Sequence, residues 1–467
     1  MVTIETIETP SLGDRTYLVH DGATAAVVDP QRDIDRVLTL LDERGLRVSH
    51  VVETHVHNDY VTGGAELARV TGARYVLSAD EELHVEATGV RDGDVLTVGS
   101  FELRVMHTPG HTPTHLSYVV TADGRDVAVC TGGSLLYGSV GRTDLISRAR
   151  AEELTRAQHR SARRLTSELA DDVRVLPTHG FGSFCSSTSS ETPTNGTIGS
   201  EREGNVACRI TDEDEFVATL LAGLDAYPRY YVHMSPRNRL GPGPIDLSPA
   251  THADPQELRA RIAANEWVVD LRTRTAYAAE HVRGTVNVEL ADSFITYLGW
   301  LVPWGSPITL VGDTPEEVAD AQRDLARIGI DRPAAQATGG VAAFGGELPR
   351  GRYRVADFEQ LAEARAAGKV HVLDVRRDDE RRTGAVAGSQ HVPLHDLERR
   401  IAEVPADREV WVHCASGYRS AIAASLLTRT GRLPVLVDDD ADRIAQLGLD
   451  AAVNPPAADP ASRDDEV

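Results

Sequence analysis

The sequence contains little cysteine, no long apolar run and too few basic residues to balance its acidic ones. Its 467 residues include only 4 cysteines, too few and too scattered for a disulfide framework or a C-x-x-C metal site: Cys130, Cys185, Cys208 and Cys414. No run of about 18 uncharged apolar residues occurs, and no basic segment followed by an apolar stretch stands at the N-terminus, so we expect a soluble, cytoplasmic protein. The net charge, 48 − 71 = −23, repels phosphate backbones and anionic membranes, so we expect neither as a partner.

The length of the chain predicts about two to four domains, and its composition is that of a globular protein. The second half contains an internal repeat at an offset of 104 residues (374 − 270), in which matching positions are Asp270 and Asp374, Arg272 and Arg376, Gly284 and Gly388, and Leu290 and Leu394. Each copy has a predicted strand, ending in VVDLR or VLDVR, and a later strand-loop-helix element. Two α/β modules with parallel sheets fit this pattern best.

Cys414 stands between a predicted strand and a predicted helix. Backbone N–H groups and the helix dipole favour negative charge at such a position, so we expect a stabilised thiolate. Gly417 lets the loop curl so that successive N–H groups face inward, and Arg419 adds a cation. This arrangement suits a nucleophile that carries a second sulfur atom as a persulfide, whereas the alternative is a buried structural cysteine.

The segment from Cys414 to Arg419 resembles the six-residue active loop of the rhodanese family of sulfurtransferases. The resemblance implies that Cys414 carries sulfur, that Arg419 is the loop arginine, and that thiosulfate or persulfide donors and thiol acceptors are the small-molecule partners. The remaining residues of the implied anion-binding loop are Ala415, Ser416, Gly417 and Tyr418.

The first repeat resembles the same family through VVDLR and EHVRGTVNV. At an offset of 102 residues (414 − 312), however, Gly312 stands at the position of the cysteine and Glu317 at that of the arginine. We interpret this copy as an inactive structural or docking module.

Several histidines of the first half follow predicted strands. His55, His57 and Asp59 follow VSHVV, His111 lies in HTPGHTPTH, and His179 lies in LPTHG. Histidines at neighbouring strand ends can point into one cleft and provide the ligands of a transition metal, whereas a lone histidine is more often structural. The first three histidines could hold one zinc ion with an open position, with Asp59 and His179 nearby.

The pattern from His55 to Tyr60 resembles the H-x-H-x-D-H motif of the metallo-β-lactamase fold, over residues 1 to about 240. TPGHTP, VGRTDL and THGFGSFC are similar to its persulfide dioxygenase branch, which implies a mononuclear iron with His55 and His111 as histidine ligands. Gly133 stands where the family has its aspartate ligand, and Tyr60 where it has the last histidine of the motif. These departures argue against a dinuclear site and predict weak iron binding.

We therefore predict an α/β multidomain chain that begins with an αββα metallo-β-lactamase-like sandwich at 1–245. Two rhodanese-like domains with parallel sheets follow, an inactive domain at 250–348 and a catalytic domain at 352–450. Residues 451–467 are predicted to form a disordered tail. The predicted function is sulfane-sulfur metabolism, with sulfur transfer by Cys414 and oxidation of glutathione or other low-molecular-weight persulfides to sulfite. The predicted cofactor is one mononuclear metal ion, for which Fe(II) is favoured over Zn(II). A metal-free domain remains an alternative. One alternative is a sulfurtransferase whose N-terminal half is a non-catalytic binding or dimerisation scaffold. The other is a mononuclear metallohydrolase. The sequence leaves open whether the protein forms a homodimer.

Overall fold

The computed structural model describes residues 2–186, 195–368 and 370–451. The tail predicted at 451–467 lies outside them, apart from the backbone of residue 451. The chain divides into two compact units, the first formed by residues 1–248, 291–304 and 322–332 and the second by residues 249–290, 305–321 and 333–467. No helix in the described part of the chain is long and apolar enough to cross a membrane.

The first unit contains two β-sheets. The first sheet has the strands β1 (Thr3–Thr9), β2 (Asp14–His20), β3 (Thr24–Val28), β4 (Arg47–Val52), β5 (Arg74–Ser78) and β6 (Thr88–Val90), in this spatial order. The second sheet has the strands β7 (Val95–Val98), β8 (Phe101–His107), β9 (Leu116–Ala122), β10 (Arg125–Gly132) and β11 (Arg174–Pro177), in the order β11-β10-β9-β8-β7. Pairing is parallel from β3 to β6 and between β10 and β11, and antiparallel elsewhere.

Helices cover the outer face of each sheet. They are α1 (Asp35–Arg44), α2 (Gly64–Thr71), α3 (Ala151–Glu168), α4 (Ile198–Gly204), α5 (Val206–Arg209), α6 (Glu213–Gly223) and α7 (Tyr231–Leu240). Apolar side chains from both sheets, such as Tyr17 and Phe101, form a shared central core. A second cluster joins α1 and α2 to the first sheet, and a third joins α3, α4 and α6 to the second sheet. The predicted αββα sandwich is confirmed, because the two sheets share one core and each packs helices against its other face.

The elements after residue 249 are α8 (Pro255–Ala263), β12 (Trp267–Asp270), α9 (Arg274–Ala279), β13 (His281–Val282), β14 (Val286–Asn287), α10 (Phe294–Leu301), β15 (Ile308–Val311), α11 (Pro315–Arg327), β16 (Ala335–Ala337), α12 (Gly340–Gly345), β17 (Arg350–Gly351), β18 (Arg354–Ala356), α13 (Phe358–Ala367), β19 (His371–Asp374), α14 (Asp378–Arg382), β20 (Ala385–Val386), β21 (Gln390–His391), β22 (Glu409–His413), α15 (Tyr418–Arg429), β23 (Leu433–Val437), α16 (Arg443–Gln446) and β24 (Asp450–Ala451). Helix α10 and the C-terminal part of α11 belong to the first unit.

The two repeats form separate parallel sheets. The first repeat gives the order β14-β12-β15-β16, and the second gives β18-β23-β22-β19-β21. All pairs within both sheets are parallel, as the sequence predicts. The matching aspartate and arginine form the same ion pair in each copy, 2.7 Å for Asp270 with Arg272 and 2.8 Å for Asp374 with Arg376.

Candidate metal centre and sulfur-transfer loop

The loops after three strands bring the predicted metal-site residues together. His55, His57 and Asp59 follow β4, His111 follows β8, and His179 follows β11. All five side chains are buried, with at most 2% of any residue exposed. Among the described residues, three groups have ligand atoms within 4.8 Å of one another: His55 with His111 and His179, His57 with Asp59 and His179, and Asp29 with Glu53 and His57.

In the first group, the Nε2 atoms of His55 and His179 lie 3.3 Å apart. The ring centroid of His111 lies 4.8 Å from that of His55 and 5.3 Å from that of His179. The buried Nε2 atom of His111 has no hydrogen-bond partner within the described structure. Burial lowers the pKa of His111 to about 3 and that of His55 well below its usual range, so both rings are neutral and can offer a lone pair.

The Nδ1 atoms of the same three rings face other partners. His55 Nδ1 lies 2.9 Å from the Thr54 hydroxyl, and His111 Nδ1 lies 2.7 Å from the carbonyl oxygen of Arg142. His179 Nδ1 lies 2.8 Å from Asp14 Oδ1 and 3.0 Å from Asp59 Oδ2. These partners fix the ring orientations, as they do around histidine ligands in metal sites.

His57 has a different environment. Its Nε2 atom lies 3.1 Å from Glu53 Oε2, 3.3 Å from Asp29 Oδ1 and 3.0 Å from the hydroxyl of Tyr60. Although burial lowers it, the carboxylates of Asp29 and Glu53 raise the pKa of His57 to about 9. Tyr60, which stands at the last histidine position of the motif, therefore stacks on His57 and completes a buried polar network.

Asp59 contacts the Nδ1 atom of His179, and Cys185 interacts with Asp59. Asp59 accepts a hydrogen bond from Ser183 at 3.3 Å through Oδ2, and its Oδ1 atom has no partner among the described residues. Burial, with Asp59 and Asp14 nearby, raises the pKa of the Cys185 thiol well above its usual range, so this thiol stays protonated. Asp144 pairs with Arg142 at 2.7 Å and belongs to none of the three groups.

The structure shows what replaces the carboxylate at position 133. A Cβ atom on Gly133 would overlap the imidazole ring of His111, so the ring occupies the space of the missing side chain. The backbone of Gly133 lies outside the left-handed region, which its neighbour Gly132 adopts with φ of 53°.

Cys414 lies where the sequence predicts, between β22 and α15. The residue is buried, and its sulfur lies 3.5 Å from the hydroxyl of Ser420. Gly417 precedes the helix with φ of 90°, which turns the chain back toward the sulfur. A helix that starts directly after such a loop presents its N-terminal end, with its partial positive charge, to the loop, as in an anion-binding turn.

Arg419 has a partner that the sequence did not reveal. Its two terminal nitrogens bind both carboxylate oxygens of Glu380 on α14. Although burial opposes it, these hydrogen bonds lower the pKa of Glu380, so the pair remains ionised. A spacing of 39 residues hides this contact from sequence patterns.

The first repeat contributes residues beside this loop, within the second unit. The hydroxyl of Tyr418 donates to the carbonyl oxygen of Glu289 at 2.8 Å, and Arg274 binds Asp438 and Glu289 at 2.7 Å each. At the positions of the cysteine and arginine, Gly312 follows β15 and Glu317 accepts the N–H of Asp313 at 2.8 Å. Glu317 thus caps a helix in the first repeat, whereas Arg419 at the equivalent position of the second repeat pairs with Glu380.

Comparisons with known proteins identify two domains in the chain. A family model described as the metallo-beta-lactamase superfamily matches residues 15–180, and one described as a rhodanese-like domain matches residues 357–440. The human persulfide dioxygenase ETHE1, mitochondrial, is 31% identical over 184 residues, which are 38% of this chain and 67% of that protein. The chain belongs to the metallo-β-lactamase superfamily. It also carries a C-terminal rhodanese-like domain.

Two further proteins are similar to this metallo-β-lactamase superfamily member. The hydroxyacylglutathione hydrolase of Methylococcus capsulatus is 35% identical over 163 residues, which are 34% of this chain and 60% of that protein. The chain thus spans 60% of the length of the hydrolase and 67% of that of the human protein. The crystal structure of a metallo-beta-lactamase from Staphylococcus aureus subsp. aureus COL superposes with a TM-score of 0.64 and 27% identity, and covers 72% of this chain and 99% of that chain.

Proposed function

We propose that the chain is an enzyme of sulfane-sulfur metabolism, in which a Cys414 persulfide transfers sulfur and a metal in the first unit serves the oxidation of low-molecular-weight persulfides to sulfite. The observation that carries the proposal is the buried Cys414 at a strand-to-helix junction, with Arg419 held by Glu380, within a rhodanese-like domain. The similarity of the first unit to a persulfide dioxygenase supports the same substrate class. We further propose the domain division 1–245, 250–348 and 352–450, with the middle module inactive.

The sulfur-transfer step uses the loop as an anion site. The Cys414 thiolate attacks the outer sulfur of thiosulfate or of a persulfide, the sulfur–sulfur bond of the donor breaks, and sulfite or a thiolate leaves with the electron pair. The backbone N–H groups at the start of α15 stabilise the persulfide anion that remains on Cys414. An acceptor thiolate then attacks the terminal sulfur and releases Cys414.

The donor atoms in the first unit fit one divalent metal ion. His55 and His111 are neutral and buried, and the unpartnered Nε2 atom of His111 is a polar group whose burial is costly without a ligand. A bound Fe(II) ion would supply dioxygen activation there. The protein would orient the donor rings through Thr54 and the carbonyl oxygen of Arg142, and would keep bulk water away because the cluster is buried.

The competing hypothesis is that the first unit is a non-catalytic scaffold, and the observation that favours it is the replacement of the carboxylate by Gly133. Metal analysis combined with oxygen uptake on glutathione persulfide separates the two hypotheses. We expect the anaerobically purified, iron-loaded chain to consume oxygen only when persulfide is added. His111→Ala should abolish this uptake and keep sulfur transfer, whereas Cys414→Ser should do the reverse. A first unit that takes up no metal and no oxygen would establish the scaffold.

A further inference from the structure

We infer that the metal is held by three imidazoles, those of His55, His111 and His179, so that His179 supplies the third ligand in place of the missing carboxylate. The inference rests on the proposed function, since it assigns the ligands of the metal in the first unit. Its basis is that one donor nitrogen from each of the three rings lies in one buried cluster, and that the Nε2 atom of His111 has no partner among the described residues.

The spacing of the donor atoms fits one ion. Two nitrogen ligands at about 2.1 Å from a metal and at a tetrahedral angle lie about 3.4 Å apart. The Nε2 atoms of His55 and His179 lie 3.3 Å apart, and the donor atoms of all three rings lie within 4.8 Å of one another. A metal between the rings would also satisfy the Nε2 atom of His111, which otherwise has no partner in the described structure.

The environment of His179 is that of a histidine ligand. Its Nδ1 atom contacts two buried carboxylates, Asp14 at 2.8 Å and Asp59 at 3.0 Å, so its Nε2 atom is left to face His55. Carboxylate partners of this kind orient a histidine ligand and increase its donor strength. Because an Nε2 lone pair binds only one ion, His179 cannot serve the first group and the His57–Asp59 group through the same atom.

The other donors are less suitable for this ion. The Nε2 atom of His57 is taken by Glu53, Asp29 and Tyr60. Its Nδ1 atom has no partner among the described residues, but the ring lies outside the group of His55, His111 and His179. The space of a carboxylate at Gly133 is filled by the ring of His111. Asp59 remains the strongest rival, because its Oδ1 atom has no partner among the described residues. The experiment must therefore separate His179 from Asp59.

An imidazole that binds a metal through its lone pair brings no negative charge, so the three ligands do not neutralise the ion. The carboxylates of Asp14 and Asp59 contact the other nitrogen of His179. Such a site should prefer an anionic sulfur ligand, a thiolate or persulfide, over a neutral thioether or alcohol. The inference thus names both the ligand set and the class of ligand that the open positions take.

Cobalt(II) binding to the full-length apoprotein tests the ligand set without any activity measurement. We compare the wild type with His179→Gln, Asp59→Asn and a control, His107→Gln, whose half-buried ring lies 3.3 Å from the carbonyl oxygen of Pro113 and outside all three groups. We expect one cobalt per wild-type chain and unchanged affinity in the control. His179→Gln should weaken cobalt binding by more than about 100-fold. Asp59→Asn should weaken it by roughly 10–100-fold at most, which is the cost of losing a hydrogen bond to a metal ligand.

X-ray absorption on the cobalt-loaded wild type gives a count of imidazole ligands that does not depend on the folding of a variant. Three imidazoles support the inference. Two imidazoles, unchanged cobalt affinity in His179→Gln, or a greater loss in Asp59→Asn than in His179→Gln, would overturn it.

The outcomes also separate this inference from the proposed function. Persulfide-dependent oxygen uptake with only two imidazoles on the metal refutes the ligand assignment alone. A wild type that binds neither cobalt nor iron refutes both the assignment and the metal step, while thiosulfate-to-cyanide transfer in the same samples still tests the role of Cys414.

Discussion

The guanidinium of Arg419 binds Glu380 through two terminal nitrogens, and both side chains are largely shielded from solvent. This geometry needs the planar fork of arginine, which the single ammonium group of lysine cannot reproduce. The pair holds the cation at the end of the Cys414 loop.

We predict that Arg419→Ala weakens thiosulfate binding by about 1–3 kcal/mol, the cost of losing a charge-assisted contact, and that Arg419→Lys restores only part of the loss. Steady-state kinetics should show the effect mainly as a higher KM. Arg429→Lys, at the other end of the same helix, is the matched control and should leave KM unchanged. Wild-type KM in Arg419→Ala would show that the helix N-terminus binds the donor alone.

The loop between β22 and α15 depends on one backbone conformation. Gly417 has φ of 90°, and a Cβ atom there would overlap the carboxylate of Asp438, which Arg274 holds at 2.7 Å. Gly431, after the same helix, has φ of 77° but no neighbouring atom within 4 Å of a Cβ. The two glycines therefore share a strained backbone but differ in their surroundings.

We predict that Gly417→Ala and Gly431→Ala each lower the free energy of unfolding by about 1 kcal/mol, because an L-residue disfavours the left-handed region. Only Gly417→Ala should also reduce sulfur transfer, since its methyl group displaces Asp438 and the loop. Chemical denaturation and the thiosulfate-to-cyanide assay measure the two effects. Equal transfer rates in both variants would contradict the role assigned to the loop.

The helices of the first unit show where sequence reasoning succeeds at this scale. Asp212 and the apolar pattern after it predict one helix at 212–224, and the structure has α6 at Glu213–Gly223 with Asp212 as its cap. The Ser/Thr/Gly-rich stretch from Phe184 to Asn205 predicts a loop. Its residues 187–194 lie outside the described part of the chain, and the prediction is wrong for α4 (Ile198–Gly204). Thr197 and Ser200 form a capping box there, and burial of Ile198 stabilises a helix that composition disfavours.

At the scale of the whole molecule, the sequence repeat and the compact units do not coincide. Residues 291–304 and 322–332 come from the first repeat but belong to the first unit. The carbonyl oxygen of Arg327 accepts the N–H of Val61 at 2.7 Å, and its guanidinium binds Asp33 at 2.7 Å. Part of the first repeat therefore supports the loop that follows Tyr60.

Sequence patterns predicted the residues at strand ends, because position after a strand is a local property. The sequence predicts in this way that His55, His111, His179 and Cys414 follow strands, and the structure has them there. Their partners were not predicted, since Asp14 lies 165 residues from His179 and Glu380 lies 39 residues from Arg419. Only the folded chain shows that two carboxylates hold His179 toward His55.

The most direct test of the central claim is the detection of sulfur on Cys414 itself. The full-length chain is incubated with thiosulfate, alkylated and digested. Mass spectrometry then measures the mass of the peptide that contains Cys414, with the peptide of the half-buried Cys208 as internal control. We predict one added sulfur atom on Cys414, removable by cyanide, and none on Cys208. An unmodified Cys414 under conditions in which the chain still transfers sulfur would contradict the account.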